Sequence, residues 1–296
     1  MLTVFDKKPE LPSRALRTVI AALVAAWLCA PSGGVGAAAA NAVDSQGMTG
    51  AIRIASAEPK YSNAQTETIR VALYKGPGTG GNGPPDLMKQ LNAADAPTTL
   101  REVTPDQIRE GILTNFDVVI FAGGSGSQEA RAIGEDGCVQ VEKFVGNGGG
   151  YIGICAGAYL ATSGYPWSLH IINARTLSPR WKRGRAVLKM ELTPEGEKIL
   201  GGQALVDVLY HQGPVVGPAH VAGMPPYEPL AWFRTEVASN DTPVGIMVNS
   251  PAIFAAPFKQ GKVICISPHP EQTEGLEYIV PRAVNWVAPA DGKVKS

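Results

Sequence analysis

The segment GNGGGYIGICAGAYLATSG, residues 146 to 164, constrains the fold of this chain more than any other stretch. An apolar run, YIGIC, ends in a cysteine and passes at once into AGAYLA, which reads as the start of a helix. Gly153 and Gly157 flank Cys155 at −2 and +2. A strand that turns sharply into a helix leaves no room for side chains beside the turn residue, and glycine alone brings no Cβ there. Such a turn lies at the carboxyl end of its strand, where open α/β sheets bind their ligands. The N-terminus of the following helix supplies unpaired N–H groups and a partial positive charge, and both stabilise a thiolate. Cys155 is therefore a candidate nucleophile. The same residues also suit a small core side chain in a tight turn.

The flanking sequence repeats the strand-then-helix pattern. TIRVALY (68–74), FDVVIFAGG (116–124) and GKVICI (261–266) are further short apolar runs, as buried parallel strands are. TTLREVT (98–104) is a possible second strand. DLMKQLNAA (86–94) is a predicted helix, and TPDQIREGIL (104–113) another, with Thr104 as its N-cap. A third helix over 128–148 is interrupted or restarted between Gly134 and Gly137. Beyond residue 165, RAVLKMEL, ALVDVLYHQGPVV, PLAWFRTE, PVGIMVN and AIFAAPF read as strands divided by turns. GLEYIVPRAVNWV reads as a closing helix that kinks or begins at Pro281. The pattern predicts an α/β fold: a flavodoxin-like three-layer sandwich with a mostly parallel central sheet and an antiparallel extension.

Apolar residues make up 45% of the 296-residue chain and charged residues 18%, the balance of a protein that buries a core. With 26 basic and 26 acidic residues there is no net field to draw nucleic acid. The N-terminus has its own character. Lys7, Lys8, Arg14 and Arg17 precede the apolar run TVIAALVAAWLCA and then the small residues PSGGVGAAAANA. These are the three parts of an export signal, predicted over residues 1–42, which implies a periplasmic or extracellular protein. The run is short for a membrane span, although an uncleaved N-terminal anchor is the competing reading. Residues 43–67 are polar and read as a linker, and 291–296 as a tail. Removal of the signal takes Cys29 with it and leaves Cys138, Cys155 and Cys265, an odd number, so at least one thiol is free or pairs between chains.

A nucleophilic thiol needs a base within reach and a group to orient that base. SPHPEQ follows the last buried strand and so places His269 and Glu271 at the same sheet edge as Cys155, with Pro270 stiffening the link. The Gly123–Gly124 pair ends a third strand there. The N–H groups of Gly124 and of Ala156 are candidates for an oxyanion hole, with Gly123 beside them. No His, Cys and carboxylate spacing suggests a metal site, and no cofactor is expected. KGPGTGGNGPP (75–85) lacks the Gly-Lys-Ser/Thr ending of a phosphate loop and reads as a strand–helix loop at the rim of the site; a nucleotide-binding module is the weaker alternative. ARTLSPRWKRGRA clusters Arg175, Arg180, Lys182, Arg183 and Arg185, expected as a solvated hairpin or an anion site, with Trp181 inside it. His211 in YHQGP is a candidate to reach the pocket.

Three segments in order, the Gly-Gly strand end, the G-x-C-x-G elbow and the terminal H-P-E, resemble the class I glutamine amidotransferase-like superfamily. GGYIGICAGAYLA, with VALYKGPGTG, YHQGP and SPHPE in order, is closest to the family named after the N-terminal domain of biotin–protein ligases. The resemblance covers about residues 68–287 and implies one domain over 68–290. It implies Cys155 as nucleophile, His269 as base and acid, Glu271 as orienting carboxylate, and a thioester formed from an amide or ester. One position departs from the glutamine-hydrolysing pattern Cys-x-Gly-x-Gln: Tyr159 stands where the Gln belongs. No synthase segment or biotin ligase catalytic segment follows. The expectation is a stand-alone exported hydrolase acting on a small-molecule or peptide substrate, or a non-catalytic binding module of the same fold.

Overall fold

The computed structural model describes residues 68–94 and 97–290. The predicted signal, the linker before residue 68 and the tail from 291 lie outside the described residues. The first half alternates strands and helices: β1 (Ile69–Tyr74), α1 (Gly83–Ala93), β2 (Thr98–Val103), α2 (Pro105–Arg109), β3 (Val118–Phe121), α3 (Gly126–Gly146), β4 (Gly150–Ile154) and α4 (Ala156–Ala161). The second half is richer in strands: β5 (Ala174–Thr176), β6 (Arg185–Leu192), α5 (Pro194–Leu200), β7 (Leu205–His211), β8 (Val216–Pro218), β9 (Glu228–Phe233), β10 (Pro251–Phe258), β11 (Gly261–Ile266) and α6 (Ile279–Val287).

Nine strands form one sheet in the order β2-β1-β3-β4-β11-β10-β9-β6-β7. The pairs from β2 to β11 are parallel and those from β11 to β7 antiparallel. The central strands are apolar on both faces because both faces are covered. On β1, Val71 and Leu73 join a core with Leu87 and Leu91 of α1 and Val280 and Val284 of α6. Ala72 and Tyr74, pointing the other way, join a second core with Ile133 and Val141 of α3 and Leu160 of α4. This is a three-layer α/β sandwich with an antiparallel extension. Truncating one of its buried Ile or Leu side chains to Ala costs about 2–5 kcal/mol.

Local signals explain the connections. Thr104 caps α2 in a reciprocal capping box with Gln107. The helix is shorter than the predicted 104–113, because Gly111 (φ 84) breaks it and residues 112–115 tighten into a 3-10 turn. Gly134 (φ 68) interrupts α3 inside the predicted window. Pro281 lies in the first turn of α6, where a missing N–H costs nothing.

Two expectations need correction, and one helix was not read. PVGIMVN is not a strand: Gly245 (φ 83) and Asn249 (φ 63) turn the backbone out of the extended region. The helix α5, capped by Thr193 accepting from the Gly196 N–H at 3.0 Å, gave too short an apolar pattern to be read. The arginine cluster is not a fully solvated hairpin. Arg183 is 2% exposed, donates to the Pro243 carbonyl at 2.9 Å and pairs with Glu236 at 3.4 Å. Cys138, Cys155 and Cys265 are all free thiols. No described helix is long and apolar enough to cross a membrane.

Candidate active site

Parallel β3, β4 and β11 deliver Gly123–Gly124, Cys155 and His269–Glu271 to one sheet edge. Cys155 sits between β4 and α4 at φ 50, ψ −95, outside the regions that L-residues ordinarily occupy. Packing holds it there. A Cβ on Gly153 would stand 2.4 Å from the Gly157 carbonyl, and one on Gly157 would stand 2.2 Å from the Phe121 oxygen. The two glycines thus let α4 lie directly on β3 and β4. The Tyr151 hydroxyl donates to the Gly157 carbonyl at 2.8 Å, and the Cys155 N–H donates to the Ile266 carbonyl at 2.8 Å.

His269 is 5% exposed. Its N–H donates to the Leu209 carbonyl at 2.7 Å, and its own carbonyl accepts from the Thr273 hydroxyl at 2.7 Å. Its Nδ1 meets Glu271 Oε1 at 2.7 Å. Gln272 Nε2 bonds the same Oε1 at 3.1 Å, and Gln90 donates to the Glu271 carbonyl at 2.9 Å, which ties the turn to α1. Burial works against a charge on His269, but the neighbouring Cys155 thiol and Glu271 carboxylate outweigh it and raise the imidazole to about 10. Gly123 spaces the two partners: a Cβ there would lie 2.9 Å from His269 Cε1 and 3.8 Å from Cys155 Cβ. The thiol donates to the His211 carbonyl at 3.4 Å, and His269 Nε2, pinned by Glu271 at its other nitrogen, has no hydrogen-bond partner among the described residues. Nε2 is thus the ring nitrogen left for the proton exchanged with Cys155.

Gly124 adopts φ +144, and a Cβ there would fall 1.9 Å from the Gly78 oxygen. The loop after β1 is stitched to it by Gly80 N–H to Gly123 O at 2.9 Å and Ser125 N–H to Gly78 O at 2.7 Å. The glycine-rich loop therefore forms a rim of the site. Among the described residues, neither the Gly124 nor the Ala156 N–H has a protein acceptor. His211 also reaches the site, its ring 6.5 Å from that of His269. Burial, then His269 and Arg185, lowers its pKa.

These groups open on a cleft of about 530 Å³. Sequence reasoning placed Gly123, Gly124, Cys155, His269 and Glu271 together at one sheet edge and did not give the walls of the cleft. Tyr165 and Trp167, in the short GYPW segment after α4, line it and were missed, and so was Gln272. Their type was visible in the sequence, but nothing in the spacing says that this connection folds back over Cys155. Tyr159 turns its hydroxyl to the Gln212 carbonyl at 3.2 Å. No cluster of three metal-ligating side chains occurs among the described residues.

Residues 69–180 match the family model for the N-terminal part of biotin-protein ligase. No curated protein matches the chain. Among solved structures, a putative ThuA-like protein from Bacteroides uniformis superposes with a TM-score of 0.52 at 14% identity, covering 80% of this chain and 98% of that one. A cytoplasmic protein from Salmonella typhimurium superposes at 0.50 with 12% identity, covering 75% of this chain and 99% of that one. At such identities the likeness is one of fold. Residues 69–180 thus resemble the biotin-protein ligase N-terminal family, and the fold is that of the ThuA-like proteins, the glutamine amidotransferase-like α/β sandwich.

Proposed function

We propose that this chain is a cysteine-dependent hydrolase of amide or ester carbonyls, exported by the signal read in residues 1–42. The observation that carries the reading is the 2.7 Å contact of Glu271 with His269 Nδ1, beside a cysteine held at φ 50 on an elbow. In the reaction the Cys155 sulfur bonds to the carbonyl carbon with its proton held on His269 Nε2. The resulting oxyanion faces the open N–H groups of Gly124 and Ala156. Collapse breaks the bond to the leaving amine or alcohol, which takes the proton from His269. Water, deprotonated by the same imidazole, then cleaves the thioester and frees Cys155. Glu271 holds the ring and stabilises its charged form throughout.

The reading is tested by iodoacetamide labelling followed by mass spectrometry. Cys155 is expected to react well ahead of Cys265, which is fully buried, and of Cys138, whose thiol burial and nearby Glu142 and Glu135 push up to about 11. His269→Ala is expected to slow Cys155 alone. Equal slow labelling of all three thiols overturns the proposal.

A second reading, a binding module without turnover, draws on the thiol's bond to the His211 carbonyl and on Tyr159 at the glutamine position. It predicts fast or slow labelling alike with no acyl-enzyme. Trapping a Cys155 thioester by mass spectrometry would exclude it.

A further inference from the structure

The cleft beside Cys155 has a chemical character that the triad does not use. None of its lining side chains is Lys, Arg, Asp or Glu, whereas four are aromatic. Tyr165 and Trp167 stack with ring centroids 4.7 Å apart and planes at 14°. The Tyr165 hydroxyl is bonded to Thr176 at 2.9 Å, so the stack is anchored from behind. Tyr159 leans on it at 6.3 Å. Trp181 lines the same cleft and is 46% exposed, on the loop tied down by buried Arg183. An indole left this open beside other rings loses apolar burial that a bound ring restores.

The absence of an unpaired charge also selects. A free amino acid such as glutamine carries a carboxylate and an ammonium, and each must find a partner when it leaves water. The cleft lining holds no Lys, Arg, Asp or Glu to meet them, and the charge on His269 is already met by Glu271. An uncharged acyl group pays no such penalty.

We infer that the cleft takes an uncharged amide or ester bearing an aromatic ring, with the ring against Tyr165, Trp167 and Trp181 and the carbonyl at Cys155. This rests on the proposed nucleophile, but the ring subsite is separable from it in the test. Trp181 is a binding residue here, not a catalytic one.

The full chain is treated with iodoacetamide, iodoacetate and N-benzyliodoacetamide, and the displacement of iodide by the Cys155 sulfur is followed by mass spectrometry. N-benzyliodoacetamide is expected to saturate and to react about tenfold faster than iodoacetamide, the equivalent of one aromatic pair. Iodoacetate is expected to be the slowest. Trp181→Ala should remove the benzyl advantage, and Trp181→Phe should restore most of it. Where Cys155 reacts quickly and His269→Ala slows it, equal rates for the benzyl and parent reagents, or a preference for iodoacetate, overturn the subsite. In parallel, N-benzylacetamide is titrated into Cys155→Ser and followed by tryptophan fluorescence. Saturable binding lost in the Cys155→Ser, Trp181→Ala double variant supports the subsite even if Cys155 proves unreactive; no binding overturns it. Slow alkylation by all three reagents, unaffected by His269→Ala, indicts the nucleophile instead.

Discussion

The backbone N–H of Cys155 donates to the carbonyl of Ile266 at 2.8 Å. The elbow at the end of β4 is therefore bonded to the last residue of β11, three positions before His269. The candidate nucleophile and base come from segments more than a hundred residues apart, yet their separation is set by one backbone hydrogen bond and the parallel register behind it. Gly123 fills the remaining space with no side chain. The pair is held by the sheet itself, which is more rigid than a loop.

Glu271 is expected to act through His269. In Glu271→Gln the imidazole loses the carboxylate that helps raise it, so its pKa falls from about 10. NMR titration of the His269 ring should show the downward shift. Cys155 alkylation at neutral pH should slow by about tenfold or more, given the 10²–10⁴ that positioned proton transfer contributes. An unchanged His269 titration would show that the 2.7 Å contact carries no charge coupling.

The same group gives a pH dependence of stability. The folded pKa of His269 is raised above its ordinary value of 6.5, so the native state binds the proton more tightly than the unfolded chain. The stabilisation is fully present below about pH 6.5 and is lost as pH rises through about 10. Urea midpoints for the wild-type chain and His269→Gln should converge as pH rises across this window. A constant difference between them would contradict it.

Gly153→Ala should damage the elbow more than a surface change of the same size. The added methyl meets Gly157 backbone atoms at 2.4 Å, and backbone cannot swing aside as a long side chain can. The expected loss is about 1–3 kcal/mol by urea unfolding, as for other overpacked sites. Loss of fast Cys155 labelling should accompany it, because α4 can no longer lie on β4. Gly81→Ala offers a contrast. Its positive φ strains any side chain, but no atom lies within 4 Å of the added methyl, so the labelling rate should hold.

Arg183→Ala should loosen the segment after β9. The guanidinium is buried, donates to Pro243 O and pairs with Glu236, which also accepts from the Gly245 N–H at 2.9 Å. Removing it leaves Glu236 without its cation at a largely buried place, at a cost of about 1–3 kcal/mol. Hydrogen exchange over residues 236–245 should rise while exchange in β1, β3 and β4 stays slow.

The local geometry of the candidate site was legible in residue order. Gly153, Cys155 and Gly157 state a strand–helix turn because only glycine tolerates the contacts at such a turn. His269-Pro-Glu271 states a stiff link after an apolar strand for reasons that concern three adjacent residues. The alternating apolar runs of the first half determine a parallel sheet, since runs buried on both faces need cover on both sides. What lay beyond the sequence was whatever depends on distant segments meeting. That Tyr165 and Trp167 wall the cleft, that Arg183 is buried, that PVGIMVN turns instead of pairing, and that Gly123 separates Cys155 from His269 follow from how chain stretches far apart pack. Periodicity and residue type report what a segment prefers by itself. They carry no information on which neighbour occupies the space beside it, and in this protein that space defines both how near Cys155 and His269 stand and the cleft they open on.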